Sequence, residues 1–508
     1  VQYYTTERPA VVGFDTETVK GKVVLVTCSN GAWLEPKSAV DLLAFLYQNV
    51  PKDGVGFFYN INFDFSVIAR KVVEEGGNAD ELRYLKELNY KGFTIKYING
   101  KGFEINRSRH GFRKFFDISQ FFADGNGKHS LDTVARAWLG EGKMEMDREA
   151  LGDSEEFYQA NRMKVIEYSI HDSRLAARLG EKFLDLVYDL FHIYPTRFYS
   201  QASVAKAWVA KVHPELVRIA KTIPYFARNA AWHAYRGGIF LVRILGKVDE
   251  ASEIDINSAY PYALSQLPDL RNLSWHQGAG YHKGVYSFHY VDVKHDGFIP
   301  YRTGKNYIIY PESNDYIPLW LTGIEVDYLI SKGLTSPEKV RYSVWATGAA
   351  GKAFPEIPSL YAMRLRYKKK AKEGDKAAEA AQWGIKIVMN SIYGVLAQSR
   401  PGITRFTNMV YAAYITAMTR KKIWELADKV GRENIISIQT DALVFKGKRV
   451  PGIRESNDLG DVKYEFESQE VITYMNGLAI RAGELKKRGF PTLIKEMLLS
   501  AKGDTLSL

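Results

Sequence analysis

The sequence predicts a multi-domain protein, α/β in its N-terminal third and α+β in the remainder. Three observations carry this. The chain has 508 residues, 46% hydrophobic and 25% charged, which at roughly 150 residues per domain makes three or four globular domains. Short β-branched runs alternate with helical periodicity up to about residue 190. From Glu253 onward, short apolar runs bracket one long helical stretch, Pro355 to Gly394.

In chain order, Val11–Phe14 and Val23–Thr27 read as strands, Ala39–Gln48 as a helix and Gly54–Tyr59 as a strand. A helical pattern follows over Phe65–Glu75, and a long amphipathic helix over Ala160–Leu190, which stops before Pro195. Residues 195–248, rich in Arg, Lys and aromatics, read as a helical connection. Within Pro355–Gly394, Glu373-Gly374-Asp375 breaks the periodicity into a hairpin, and Arg364–Lys370 is basic. Ile435–Phe445 reads as two short strands around Gln439-Thr440-Asp441, and the chain after Asp461 is mixed.

Composition removes several classes. There is no run of ~18 apolar residues, which argues against a membrane-spanning helix, and Val1–Pro9 lacks the apolar core of a secretory signal. The start at Val1 rather than Met reads as a processed or recombinant end. A single cysteine, Cys28, excludes a disulfide framework and any cysteine-built zinc or iron–sulfur site. A reducing, intracellular setting follows. Lys and Arg number 69 against 58 Asp and Glu, a net charge of +11, and such an excess attracts polyanions, nucleic acid first among them. Aromatics make up 13%, with 32 Tyr, and aromatic faces stack on unpaired bases.

Carboxylates recur where strands end. Asp15 and Glu17 alternate along an extended run and so share a face. Asp64 closes Tyr59-Asn60-Ile61-Asn62-Phe63-Asp64, and Tyr168 and Asp172 lie four apart on the long helix. Four acids converging on one point repel one another and call for cations. All-oxygen ligation suits Mg²⁺ or Mn²⁺, and two such ions activate water and stabilise a leaving oxygen in phosphodiester cleavage. Singly, each acid is more often a cap or a solvated side chain. In the second block, Asp255 ends a strand and Asp441 sits at a hairpin bend, the minimum pair for a second two-metal site. Between them Lys386, Asn390 and Tyr393 fall on one helix face, and Arg364 and Lys368 stand four apart on the preceding helix. Cations so spaced fit a triphosphate beside two metal ions.

The order Asp-x-Glu, Asn-x-x-Phe-Asp, Tyr-x-x-x-Asp over Val11–Leu179 resembles the DEDDy proofreading 3′–5′ exonucleases. Asp255-x-x-Ser-x-Tyr260-Pro, Lys386-x-x-x-Asn390-Ser-x-Tyr393-Gly and Thr440-Asp441 resemble motifs A, B and C of family-B DNA polymerases. The chain is most similar to their small protein-primed phage and plasmid branch. Tyr235-Arg-Gly237-Gly238 resembles that branch's Tyr-x-Gly-Gly element. Ser130-Leu131-Asp-Thr-Val resembles its single-strand-binding element, and Lys143-Met-Glu-Met its Lys-x-x-hydrophobic element.

The resemblance implies a ribonuclease-H-like exonuclease domain over 1–190 and a helical connection with the Tyr-x-Gly-Gly element over 191–252. A right-hand polymerase would follow: palm with an insertion over 253–354, helical-hairpin fingers over 355–396, palm again over 397–465, and a short or truncated thumb over 466–508. It implies two Mg²⁺, or Mn²⁺, per active site, held by Asp255, the Ile256 carbonyl and Asp441 for synthesis. For proofreading they would be held by Asp15, Glu17, Asp64 and Asp172, with Tyr168 positioning the water. Arg364, Lys368 and Lys386 would neutralise a dNTP, Asn390 and Tyr393 would form the nascent-pair pocket, and Tyr260 would exclude a 2′-hydroxyl. Thr18, Asn60, Phe63, Ser130, Leu131, Lys143, Tyr235, Gly237 and Gly238 would contact DNA. Implied partners are primer-template DNA, dNTPs and a terminal protein or clamp. The protein would be a monomer off the membrane, in the host cytoplasm if viral or plasmid-encoded.

Two departures stand out. Motif C normally reads Asp-Thr-Asp-Ser, whereas Gln439-Thr440-Asp441-Ala442 replaces its first acid with a neutral amide. The later Lys-x-Tyr element is not visible; Asn476-Gly477-Leu478 stands about there, with Lys486, Lys487 and Arg488 nearby. The short span from Asn390 to Asp441 leaves little room for the branch's second insertion and implies modest processivity. Two other readings compete with a proofreading polymerase: a nuclease-dominant repair enzyme with a weakened synthesis site, and a catalytically silent DNA-binding module. The four retained exonuclease acids argue against the silent module.

Overall fold

The computed structural model describes residues 2–122, 129–304, 307–398 and 406–488. It divides into two compact units, Val1–Pro214 with Tyr367–Ile392, and Glu215–Arg366 with Tyr393–Leu508.

The first unit is built on an eight-stranded mixed sheet. Its centre is the strand Val11–Val19, antiparallel to Lys22–Cys28 and parallel to Val55–Phe58. Val12, Phe14 and Thr16, each two apart, are buried on one face of this strand and Asp15 and Glu17 alternate with them, until a bulge between Glu17 and Thr18 shifts the register before buried Val19. Helix Arg162–Phe191 lies across it, burying a stripe from Val165 and Ile166 through Leu175, Leu179, Phe183 and Val187 to Phe191. The approach is close because Gly13 and Gly180 have no side chains. A Cβ on Gly13 would enter the Ser173 carbonyl, and one on Gly180 would lie 2.5 Å from the Phe57 ring. The long helix begins and ends within two residues of its expected bounds. The helix expected over Phe65–Glu75 instead spans Ile61–Glu74. Asn60, in the left-handed region at φ +66, turns the chain from strand Val55–Phe58 directly into it, so Asp64 lies in the first helical turn.

The second unit carries a seven-stranded antiparallel sheet in the order Phe240–Val242, Ile435–Gln439, Ala442–Lys446, Gly246–Ile256, Val462–Met475, Leu478–Arg481, Glu484–Lys487. A four-stranded sheet of Ser274–Ala279, Val340–Thr347, Tyr286–Asp296 and Glu312–Thr322 accompanies it. One core joins Ile254, Ile256, Ile438, Leu443 and Phe445 of the larger sheet to Val291 and Leu321 of the smaller, with Val326 and Trp424. The reading of 195–248 as a helical connection holds as far as Ala234 and is corrected beyond it. Helices Gln201–Val212, Leu216–Thr222 and Tyr225–Ala234 are followed by strands from Phe240 and from Gly246. Lys247, Asp249 and Glu250 hide the strand locally, and pairing of Lys247 and Val248 with Ile472 and Val471 creates it. Of the expected thumb, residues 489–508 lie outside the described residues.

Candidate active sites

In the first unit, one cleft of about 580 Å³ is lined by Asp15, Glu17, Asp64, Tyr168 and Asp172. Thr18, Asn60, Phe63, Ser130, Leu131 and Lys143 line the same cleft, so every residue assigned to the N-terminal site from sequence meets there. Strand alternation brings in the first two acids, the helix start brings in Asp64, and the four-residue step on helix Arg162–Phe191 brings in Tyr168 and Asp172. Burial first, and then the Asp172 charge, raise the Asp15 carboxyl to about 7. Burial followed by Asp15 raises both Glu17 and Asp64 well above the ordinary range. Ser169 donates to Asp15 Oδ2 at 2.8 Å. The Thr16 hydroxyl and amide donate to Asp64 Oδ1 at 2.7 and 3.2 Å.

The four acids do not form a compact cage. Among the described residues no three His, Cys, Asp or Glu side chains stand close enough to grip one ion. Two contacts account for this: the Lys143 ammonium is paired with Asp172, and Asp64 is turned to Thr16. The donor set still suits a hard cation. It is all oxygen, its charges are too crowded to ionise together, and Asp172 Oδ1 is buried without a hydrogen-bond partner. Mg²⁺ in particular takes one or two carboxylates and completes its shell with water and substrate oxygens. Lys143, assigned to DNA from sequence, has its ammonium on Asp172 and 4.8 Å from the Tyr168 ring centre. Arg148 Nε donates to the Tyr168 hydroxyl at 2.9 Å, fixing that ring over the acids.

In the second unit, Asp255 and Asp441 are neighbours on adjoining strands. Asp255 pairs with Ala442, and the Ile256 amide donates to the Asp441 carbonyl at 3.0 Å. Thr440, at φ +62, makes the tight bend between strands Ile435–Gln439 and Ala442–Lys446 that carries Asp441. Burial and then the Asp441 charge raise Asp255 to about 7, and burial raises Asp441 as well. The Tyr260 and Tyr393 rings lie 4.4 Å apart, and Tyr393 shares a 2.6 Å hydroxyl–hydroxyl bond with Tyr235. Gly238 backs onto Thr440, where a Cβ would sit 2.9 Å from the threonine methyl. Gly237 takes φ +74. The Tyr-x-Gly-Gly element thus buttresses the Asp441 bend, whatever it does toward DNA. Arg364 Nη1 donates to Ser258 Oγ at 3.2 Å. Lys368, Lys386 and Asn390 belong to the first unit instead: Lys386 and Asn390 are exposed on helix Lys376–Ala397, and Lys368 on helix Ile357–Lys372.

A family description, DNA polymerase type B, organellar and viral, matches residues 145–436, more than half of the chain. The chain is a type B DNA polymerase by family. This type B polymerase is 26% identical over 288 residues to a DNA polymerase of Acidianus bottle-shaped virus (isolate Italy/Pozzuoli). The match takes in 50% of this chain and only 40% of the viral protein. Among solved structures it is similar to Phi29 DNA polymerase complexed with primer-template DNA and incoming nucleotide substrates, at 15% identity and a TM-score of 0.69. That match covers 96% of this chain and 94% of the other. The orthorhombic crystal form of Phi29 DNA polymerase gives 0.66 over the same shares. The fold is therefore of the expected class, multi-domain α/β and α+β, and along nearly the whole chain it is similar to that of Phi29 DNA polymerase. No helix among the described residues is long and apolar enough to cross a membrane.

Sequence patterns missed several residues of this type B polymerase. Thr16 and Ser169 donate to the acids and Arg148 to Tyr168, and the first two adjoin Asp15 and Tyr168 in sequence, the one signal available for them. Arg420 carried no signal. It donates to the Gly237 carbonyl from a fully buried ion pair with Glu325.

The raised acids set a pH dependence. Asp15 and Asp255 titrate near 7 when folded, against 3.8 when unfolded. The folded chain thus holds more protons between about pH 4 and 7, and stability falls as pH rises through that window. A divalent cation held at either site would need the ionised form, so its stabilisation would grow over the same range. We expect the metal-free thermal midpoint to drop from about pH 5 to pH 8, and millimolar Mg²⁺ to restore more at the higher pH. A midpoint that climbs over this range without cation would remove the assignment of these raised values.

Proposed function

We propose that the protein is a DNA-templated DNA polymerase with 3′–5′ proofreading. The observation that carries the reading is the pair Asp255 and Asp441, half-buried side by side on adjoining strand ends with their carboxyls raised. The second buried acid cleft, in a unit of its own, supports the proofreading half.

Asp255, the Ile256 carbonyl and Asp441 would hold Mg²⁺ or Mn²⁺, two per site, and Asp15, Glu17, Asp64 and Asp172 the same ions in the other cleft. The ions supply activation of the attacking oxygen and neutralisation of the charge that builds on phosphorus. The protein's own residues do the rest. Arg364, Lys368 and Lys386 neutralise the triphosphate, so that the primer 3′-hydroxyl can attack the α-phosphorus and pyrophosphate can leave. Asn390 and Tyr393 bound the nascent pair. Tyr260, held against Tyr393, leaves no space for a 2′-hydroxyl. In the other cleft Tyr168, held by Arg148, orients the water, and Thr18, Asn60, Phe63, Ser130 and Leu131 grip a frayed 3′ end. The neutral Gln439 takes a charge from beside the synthesis site but leaves the Asp255–Asp441 pair intact.

The test is extension of a primer on a defined template with each nucleotide omitted in turn. Templated synthesis stops one position before the omitted base in every reaction. Degradation without any extension, in Mg²⁺ and in Mn²⁺, would instead select the nuclease-dominant reading.

A further inference from the structure

The sheet face that carries Asp255 also carries a cation that no motif marks. Lys463 is the ladder partner of Asp255 on strand Val462–Met475, and directly opposed residues in an antiparallel pair project to the same face. Glu465, two residues along, is the extra residue of a bulge between the Tyr464 and Phe466 pairings, and its carboxylate takes the Lys463 ammonium in an ion pair. Both side chains are open to solvent, 36% and 42% exposed. Arg364 adds a second cation here. Its Nη1 reaches Ser258, three residues past Asp255, while its Nε is buried without a hydrogen-bond partner. Among the described residues Arg364 makes no ion pair. A guanidinium with an unmet buried donor beside this turn points to an anion that completes it. Lys463 and Arg364 repel each other, and Lys463 attracts Asp255, so the three charges lie within electrostatic reach.

We propose that Lys463 is a phosphate-binding residue of the palm, which leaves Glu465 to grip, with Arg364, the polyphosphate of the incoming nucleotide and the pyrophosphate of the reverse reaction. The inference rests on the polymerase reading and deepens it. A single exposed ion pair is weak, and a polyphosphate offers several oxygens and a larger charge to the same ammonium. Lysine suits the exchange, being a flexible stem with three rotatable donors, whereas half-buried Arg364 is anchored on Ser258. Glu465 gives the ammonium a resting place other than Asp255, where it would compete with the cations that acid holds. Because phosphate rather than base is recognised, all four nucleotides depend on Lys463 alike.

The test uses the full chain on a primer-template with a dideoxy-terminated primer, so that nucleotide binding is read without chemistry, and then on an ordinary primer for kcat and KM. Lys463→Ala is expected to weaken binding of each dNTP by about 10-fold, with pyrophosphorolysis weakened in parallel and kcat changed much less. Lys463→Arg retains binding, and Glu465→Gln binds dNTPs at least as tightly as the parent. Unchanged dNTP affinity in Lys463→Ala overturns the proposal, as does a kcat loss with affinity retained, which would make Lys463 a positioning residue for Asp255. Weaker binding in Glu465→Gln overturns the exchange. If the parent chain neither binds dNTPs nor extends a primer, the polymerase reading itself fails. If it does both while Lys463→Ala binds normally, Lys463 alone is excluded.

Discussion

Asp255→Asn is expected to lower primer extension by at least about 10³-fold while leaving 3′ degradation intact, and Asp15→Ala to do the reverse. The two acids belong to different compact units, so neither substitution touches the other's cleft. Asparagine keeps the shape of Asp255 and removes the charge, which separates loss of a cation's ligand from loss of packing. The same change should raise the thermal midpoint of the metal-free protein. The Asp255 carboxyl is half-buried and repelled by Asp441, Glu465 and Glu253, so its ionised form works against folding until a cation balances it. Lost extension with gained stability is the signature of an acid kept for chemistry. Both activities are measured on one preparation of each variant. If Asp255→Asn keeps extension within tenfold of the parent, or if one substitution abolishes both activities, the two-site assignment is wrong.

How much was legible in the sequence depended on how far apart the cooperating residues lie. Asp15 with Glu17, and Tyr168 with Asp172, obey strand and helix periods, and both pairs reach the cleft as those periods require. Asp255 and Asp441 are 186 residues apart (441 − 255), and were found because each sits in its own recognisable strand-end pattern. Asn60 was not read as a helix boundary, because a non-glycine residue at positive φ leaves little trace in composition. The strand from Gly246 was lost to a local polar run that only its partner strands make extended. Lys463 lay in a stretch without periodicity, and its place opposite Asp255 is a matter of register between distant strands. Helix Met409–Val430, which carries Arg420, is buried on nearly every side over its first half, Val410–Ala417, and so lacks there the polar face that marks a helix in sequence.

Glu325→Gln is expected to destabilise the second unit by about 3–5 kcal/mol, because it leaves a buried charge without its partner. Arg420 and Glu325 are both 0% exposed and meet at 2.8 Å. Glu325 is also the third residue of helix Gly323–Ser331, where its carboxylate takes the Thr322 amide and hydroxyl. A second guanidinium depends on the same acid. Arg236 is held down to about 10 by burial, with Glu325 attracting it and Arg420 and Arg302 repelling it. These arginines in turn hold the backbone of the Tyr-x-Gly-Gly element: Arg420 donates to the Gly237 carbonyl and Arg302 to that of Tyr235. Gly238 in that element packs on Thr440, beside Asp441. The loss should therefore reach extension before the unit unfolds, at temperatures where degradation by the first unit is unaffected. Glu325→Met with Arg420→Met should cost less than the sum of the two single changes, since the double variant removes the orphaned charge that each single one creates. Denaturant titration followed by hydrogen exchange of the amides in helices Gly323–Ser331 and Met409–Val430 measures all three. A Glu325→Gln loss below about 1 kcal/mol, or strict additivity in the cycle, would show that the pair does not hold this element in place.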